Sequence, residues 1–266
     1  TSAERAELPG IDARRADLLP AGVVLATTVL DLTGIGVLLG CEWALREGMI
    51  LDAIGHHSEA EWSTDPRDIR RDSVLSLCRR CRWNEAHGSK VAVLAKELFD
   101  GTAWMHGLGD DDRELLELGA LLHDIGEHVS AEGHERHTAY LIENGRLRGF
   151  RPDEIAVLAC LGRFHKRGTP KSSFEPFAAM GAAERERTTR LVALLQVADG
   201  LDRSHGGPVR SVAVYSSPGL VEVVVEAADD IDLELWGLRR KRALFERVFE
   251  CRLDVGSAQM ELPLRT

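Results

Sequence analysis

The sequence predicts a mainly α fold, a helical bundle closed by a small C-terminal ββαβ (α+β) unit, and three features carry that expectation. From residue 67 to 205, apolar side chains recur three and four positions apart in one segment after another, the period of helices that each bury one stripe. Those segments start and stop on residues that suit helix ends. After Pro208 the pattern changes to alternating or β-branched runs, VRSVAVYSS and LVEVVVEA, divided by Pro218-Gly219, which is a hairpin signal.

Along the chain, RRADLLPAGVVLATTVLDL has helical spacing, GVLLG has strand character, and CEWALREGMILDAIG is helical again. Two helices and one short strand cannot build a sheet, so residues 1–55 read as the end of a larger domain or a lid on the next one. A polar linker, HHSEAEWSTDPRD, opens a helical domain over 56–207. Its helices are DIRRDSVLSLCRRCR, then NEAHGSKVAVLAKELFD with Asn84 as N-cap, and DDRELLELGALLHDIG with acidic residues at its start and Gly126 near its end. HTAYLIENGRL follows, then PDEIAVLACLGRFH with Pro152 in the first turn. ERERTTRLVALLQVADGLDRSH reads as the longest and most amphipathic of the set. The small α+β domain, 208–266, continues with a charged helix, DLELWGLRRKRALFERVFE, and a last strand in RLDVGSAQMELPL. Within that helix LRRKR (238–242) reads as a solvated face.

Composition narrows the function classes. With 44% hydrophobic and 29% charged residues the chain is an ordinary globular one. Its formal charge of −10 argues against nucleic acid and against acidic membrane, because a polyanion is repelled except at a local basic patch. Five scattered cysteines give no disulfide framework, which points to a reducing cytoplasm. Cys78 and Cys81 form a CxxC with no second pair at zinc spacing and read as ordinary thiols. Residues 21–40 approach membrane-span length, but Asp31 and a Thr-Gly-Ile-Gly break interrupt them. They read as buried core, so no membrane is expected.

Four polar residues stand on otherwise apolar stripes. His87 begins the series Val91, Leu94, Leu98; His123 continues Leu116 and Ala120, with Asp124 beside it; Asp199 extends Val192 and Leu195. An unpaired buried carboxylate costs several kcal/mol or protonates. Two aspartates arriving without lysine or arginine on the same faces therefore call for a cation. A divalent metal ligated by His87, His123, Asp124 and Asp199 meets that need; imidazole suits zinc, iron, cobalt or nickel, and carboxylate shifts preference toward manganese or magnesium. Each residue alone also fits a plain role, a core histidine bonded to a carbonyl or an aspartate at a cap; it is their combination that favours metal.

AHGSKVAVLA, LLHDIG and LLQVADGLDRSH, in that order, resemble the HD superfamily of metal-dependent phosphohydrolases. A narrower resemblance covers nearly the whole chain. RRADLLPAGVVLATTVLDLTGI followed by ALREGMILD is similar to the end of the actin-like second domain of the exopolyphosphatase and guanosine pentaphosphate phosphohydrolase (Ppx/GppA) family. EGHERHTAYLIENGRLRGFRPDEIAVLACLGRFHKRGTP resembles that family's helical third domain, and the terminal ββαβ unit its small fourth one. The resemblance thus implies an HD-type bundle preceded, over 1–55, by a remnant of an actin-like domain. The family's actin-like N-terminal region, with its phosphate loops and catalytic acid, has no counterpart in these residues.

Further candidates lie outside this set, the first of them by resemblance to HD proteins with two metals. His134, His137 and His165 are candidates for a second ion, with Asp124 bridging; a solvated loop and helix start is the alternative for the first two. Arg163, Lys166, Arg167 and Lys171 gather around His165 in an acidic protein and suit phosphate oxygens, although cations are also favoured at a helix C-terminus by its dipole. Asp202 and His205 could orient ligands or simply end the helix. The expected activity is hydrolysis by a metal-bound water, releasing phosphate from inorganic polyphosphate or a guanosine polyphosphate. The rival reading is a non-catalytic module that binds polyphosphate or nucleotide for an actin-like catalytic domain; a third is a plain helical interaction domain. The resemblance also implies a homodimer.

Overall fold

The computed structural model describes residues 1–8, 11–36, 45–50, 65–217, 219–227 and 230–258. The chain forms two compact units, Thr1–Trp62 and Ser63–Thr266. In the first, α1 (Ser2–Ala6) starts on a capping box between Thr1 and Glu4, and α2 (Leu19–Thr33) has proline in its first turn and stops at Gly34 in the left-handed region, φ 68°. Residues 45–50 are helical, inside the segment expected to be so. The strand expected in GVLLG (36–40) falls, from residue 37 on, outside the described residues. The apolar run of α2 reads from its sequence as buried core, yet α2 buries no residue, and Val24, Leu25 and Leu32 are exposed.

The second unit is built from α3 (Pro66–Arg80), α4 (Glu85–Gly101), α5 (Ala103–His106), α6 (Asp110–Leu122), α7 (His134–Asn144), α8 (Pro152–Phe164), α9 (Glu175–Ala179) and α10 (Ala182–Gly200), followed by the sheet. Local chemistry sets the boundaries. Asp65 caps α3 ahead of Pro66, and Asn84 accepts from the His87 amide at the start of α4. Asp110, Asp111 and Asp112 occupy the first turn of α6, where the dipole favours anions. Glu154 reaches back to the Arg151 amide to begin α8. The α7 helix starts at His134, three residues before HTAYLIENGRL.

These helices share a core of Leu94, Leu98, Leu115, Leu116, Leu158, Leu161, Leu191 and Leu195, all essentially fully buried. Each such side chain contributes about 1.5–3 kcal/mol by leaving water. The α10 helix differs from the amphipathic reading. Its charged residues, Glu184 to Arg190, lie at its N-terminal end, and every residue from Leu191 to Gly200 is buried. Polarity is graded along the axis, so the second half runs through the middle of the bundle and can carry Asp199 inward.

Strands β1 (Val209–Ser217) and β2 (Leu220–Ala227) pair antiparallel, and β3 (Arg252–Ala258) lies parallel to β2 on its other side. A parallel neighbour requires a crossover, supplied by α11 (Asp232–Lys241) and α12 (Ala243–Val248), into which the single expected helix divides at Arg242. The sheet packs on the bundle through Val209, Val221, Val223, Val225 and Leu253. The backbone N–H of Val212 donates to Glu97 Oε2 of α4 at 2.8 Å. No helix among the described residues is long and apolar enough to cross a membrane.

Candidate metal centre

The ends of five helices and the turns that follow two of them bring five histidines and three aspartates together. His87 comes from the first turn of α4. His123 caps the end of α6, and Asp124 follows it into a 3-10 turn, Ile125–His128. His134 opens α7, His165 caps α8, Asp199 sits at the end of α10, and Asp202 and His205 lie in the turn beyond it. The C-terminal ends of α6 and α8 leave backbone carbonyls unpaired, and these fix His123 and His165.

That fixing is specific. Nδ1–H of His123 donates to the Ala120 carbonyl at 2.6 Å, that of His134 to Ala131 at 3.1 Å, and that of His165 to Gly162 at 2.8 Å. His87 Nδ1–H donates to Asp202 Oδ2 at 2.7 Å. Since a carbonyl can only accept, the proton of each neutral ring sits on Nδ1 and the Nε2 lone pair is left facing the centre. There the Nε2 atoms of His87 and His123 stand 3.1 Å apart, and so do those of His134 and His165. Asp124 lies between the two pairs. Its Oδ2 is 3.6 Å from His87 Nε2 and 3.4 Å from His123 Nε2, and its Oδ1 is 3.2 Å from His134 Nε2 and 3.1 Å from His165 Nε2. Asp199 Oδ1 stands 3.9 Å from His87 Nε2.

Lone pairs and carboxylate oxygens at these distances repel unless something positive lies among them. Asp124 Oδ1 is buried with no hydrogen-bond donor, despite the two imidazole nitrogens beside it, because neither of those nitrogens carries the proton. Either protons or a metal ion must meet this set, and the donors fit an ion. Among the described residues, three groups have ligand atoms all within 4.8 Å of one another: His87, His123 and Asp199; Asp124, His134 and His165; and His87, Asp124 and His205. Imidazole with carboxylate suits a first-row divalent ion.

Without an ion, protons take up the strain. Burial works against a charged His123, but Asp124 and Asp199 outweigh it and raise its pKa to about 9. For Asp124 burial pulls upward, and His123 with its fellow imidazoles overrides it, holding the carboxyl far below the usual range. The Asp124 carboxylate beside its Nε2 raises His134, while burial lowers His165. At Asp199 burial is again outweighed, here first by Lys241, and the pKa falls to about 2.

The remaining candidates separate clearly. Asp202 is buried and orients His87, and its other oxygen accepts from the Gly207 amide at 2.8 Å. His205 stacks on the His87 ring with centroids 3.8 Å apart. His137 belongs to none of the ligand groups among the described residues: α7 turns His134 and Thr138 inward, leaving His137 to one side. It lines a cavity of about 920 Å³ together with Arg163, Lys166, Arg167 and Lys171, so the four expected phosphate cations do share one surface. Arg163 also pairs with Glu135 at 3.6 Å.

Two residues escaped sequence reasoning. Lys241, assigned with LRRKR to a solvated face, is instead largely buried, with its ammonium on Asp199 Oδ2; the premise that both inward aspartates lack a basic partner therefore holds for Asp124 and fails for Asp199. Gln196, on buried α10, donates through its side-chain nitrogen to the carbonyls of Phe164 (2.6 Å) and Gly168 (2.9 Å) and pins the segment that carries His165, Lys166 and Arg167. A polar residue inside the apolar run LVALLQVA was the available signal for Gln196. None existed for Lys241.

Comparison with known proteins agrees with this architecture. The model of the family described as Ppx/GppA phosphatase, domain III, matches residues 69–222. A guanosine-5'-triphosphate,3'-diphosphate pyrophosphatase of Aeromonas hydrophila is 29% identical over 197 residues, 73% of this chain and 38% of that protein. Its namesake in Aeromonas salmonicida is 28% identical over 196 residues, 73% of this chain and 37% of the relative. The chain thus spans less than two fifths of the length of these curated relatives. The family match runs from α3 into β2, taking in every clustered histidine and aspartate and more than half of the 266 residues, and the chain therefore belongs to the Ppx/GppA phosphatase family.

Proposed function

We propose that this chain is the helical, metal-dependent part of a phosphohydrolase that releases phosphate from a guanosine polyphosphate or from inorganic polyphosphate. The observation that carries the reading is the arrangement of four imidazoles, each with Nδ1–H spoken for, around an Asp124 oxygen that has no donor. Family membership and the relatives' names supply the substrate class. His87, His123, Asp124 and Asp199 would hold one divalent ion, and Asp124, His134 and His165 a second. Such an ion acidifies water and polarises a phosphoryl oxygen.

The chain's own groups do the rest. Asp202 keeps the His87 ring in its ligating tautomer. Arg163, Lys166, Arg167 and Lys171 offer the phosphate chain positive charge in a protein that otherwise repels it. Gln196 holds Lys166 and Arg167 in place beside His165.

The test is an assay of purified protein with manganese against guanosine pentaphosphate and polyphosphate. Phosphate release by the wild type, abolished in His123→Ala, is expected. Unchanged substrate, or a His123→Ala variant equal to wild type, removes the catalytic reading. A second reading is favoured by the chain's coverage of under two fifths of its relatives: the cationic cavity grips phosphate chains for a catalytic domain elsewhere in the protein. Saturable polyphosphate binding without turnover would select it.

A further inference from the structure

Lys241 has no part in the reading above, although it touches the centre. It arrives there through a backbone contact. A Cβ on Gly237 would lie 2.5 Å from the Gly200 carbonyl oxygen, and one on Gly200 would lie 3.0 Å from the Leu238 backbone, so α10 and α11 cross as closely as helices can. One turn beyond Gly237, and beside the residue that precedes Gly200, Lys241 and Asp199 are brought together. Glu234 secures the same face from the other side: its carboxylate is buried and accepts from the Ser204 amide at 2.9 Å. The lysine is thus delivered by the C-terminal α+β segment to a carboxylate that also faces His87.

Asp199 is therefore claimed twice. Oδ2 is taken by the Lys241 ammonium, and Oδ1 belongs to the ligand group with His87 and His123. An ammonium and a divalent ion on one small carboxylate repel each other, the more so where both side chains are largely buried. The ammonium is the mobile partner, at the end of a flexible four-carbon stem with three donors. A phosphate oxygen held at the ion is the nearest kind of anion that could accept it.

We propose that Lys241 changes partner with the state of the centre: it neutralises Asp199 while no ion is held there, and contacts phosphate oxygens once one is. The inference rests on the metal-binding reading given under Proposed function. It assigns the C-terminal segment a direct share in phosphate recognition, on top of the cations of the cavity.

Calorimetry on the full chain separates the two claims. Chelator-stripped wild type, Lys241→Met and Lys241→Arg are titrated first with manganese, then, once loaded, with inorganic phosphate. Manganese should bind Lys241→Met as tightly as wild type or more tightly, because a competitor is gone. Phosphate should bind that variant at least about tenfold more weakly, with Lys241→Arg recovering most of the loss. Unchanged phosphate affinity in loaded Lys241→Met overturns the proposal, and so does loss of manganese binding, which would make Lys241 a mere support for Asp199. If Lys241→Met melts below the working temperature, Lys241→Gln carries the same comparison. A wild type that takes up no manganese sinks the metal reading itself, and this inference with it.

Discussion

At the residue scale, the centre is governed by where protons sit. In the metal-free protein the His123 pKa stands at about 9, above its ordinary 6.5. The folded state holds this proton more tightly than the unfolded chain, so the stabilisation is full below pH 6.5 and disappears as pH rises through about 9. Chelator-treated wild type should lose melting temperature across that window relative to His123→Gln; a difference between the two that stays flat with pH would contradict the assignment. Asp202 acts through another group. Replacing it by alanine frees the His87 ring and should weaken metal binding by about 10–100-fold, with asparagine restoring part of the affinity because its oxygen still accepts from Nδ1–H. Equal metal affinity in Asp202→Ala would remove that role. His87, His123 and Asp199 were legible in sequence because each interrupts an apolar stripe; Asp202, beyond the end of its helix, gave no such signal.

At the element scale, close backbone approaches decide whether the ligands meet. Gly126, the last residue of HDIG, lies against the start of α7: a Cβ there would stand 2.1 Å from the His134 carbonyl oxygen and 2.4 Å from the Thr138 amide nitrogen. Its own N–H donates to Thr138 Oγ1 at 3.0 Å, and that hydroxyl donates to the His123 carbonyl at 3.0 Å. This clasp seats His134 beside Asp124. Because the obstructing atoms are backbone, Gly126→Ala cannot be absorbed by a side-chain rotation. It should cost about 1–3 kcal/mol and separate the His134–His165 pair from Asp124. Denaturant unfolding together with metal stoichiometry would measure both, and a variant as stable as wild type would show that α7 can shift at no cost. From sequence Gly126 looks like a helix stop; the tertiary contact makes it a spacer.

At the scale of the whole molecule, a set of mutually repelling lone pairs and carboxylates inside a leucine core is a liability that an ion removes. Protein prepared without chelator should contain metal. Adding the ion to a hundredfold excess over its Kd should raise the melting temperature by about 5–10 °C, and chelation should reverse the gain. Melting temperatures that ignore both treatments would argue that protons alone satisfy the centre. Among the described thiols, Cys78 and Cys160 are poor candidates for such binding: burial pushes them up to about 12, which keeps them protonated. The cations that line the cavity counter a net charge of −10 only locally, so affinity for phosphate chains should fall as salt rises.

The sequence by itself determined the long helices of the bundle, the β-branched strands after Pro208 and the inward direction of His87, His123 and Asp199, because periodicity and end-capping are local properties that a single segment expresses; the short helices Ala103–His106 and Glu175–Ala179 carry no such period. Only the tertiary structure decided that Asp124 stands between two imidazole pairs, that His137 stays aside, and that Lys241 reaches Asp199 from some forty residues away in the chain. The physical reason is that these meetings are fixed by how closely separate elements can approach, at Gly126 against α7 and at Gly200 against Gly237. A segment read alone cannot say what another segment will leave room for.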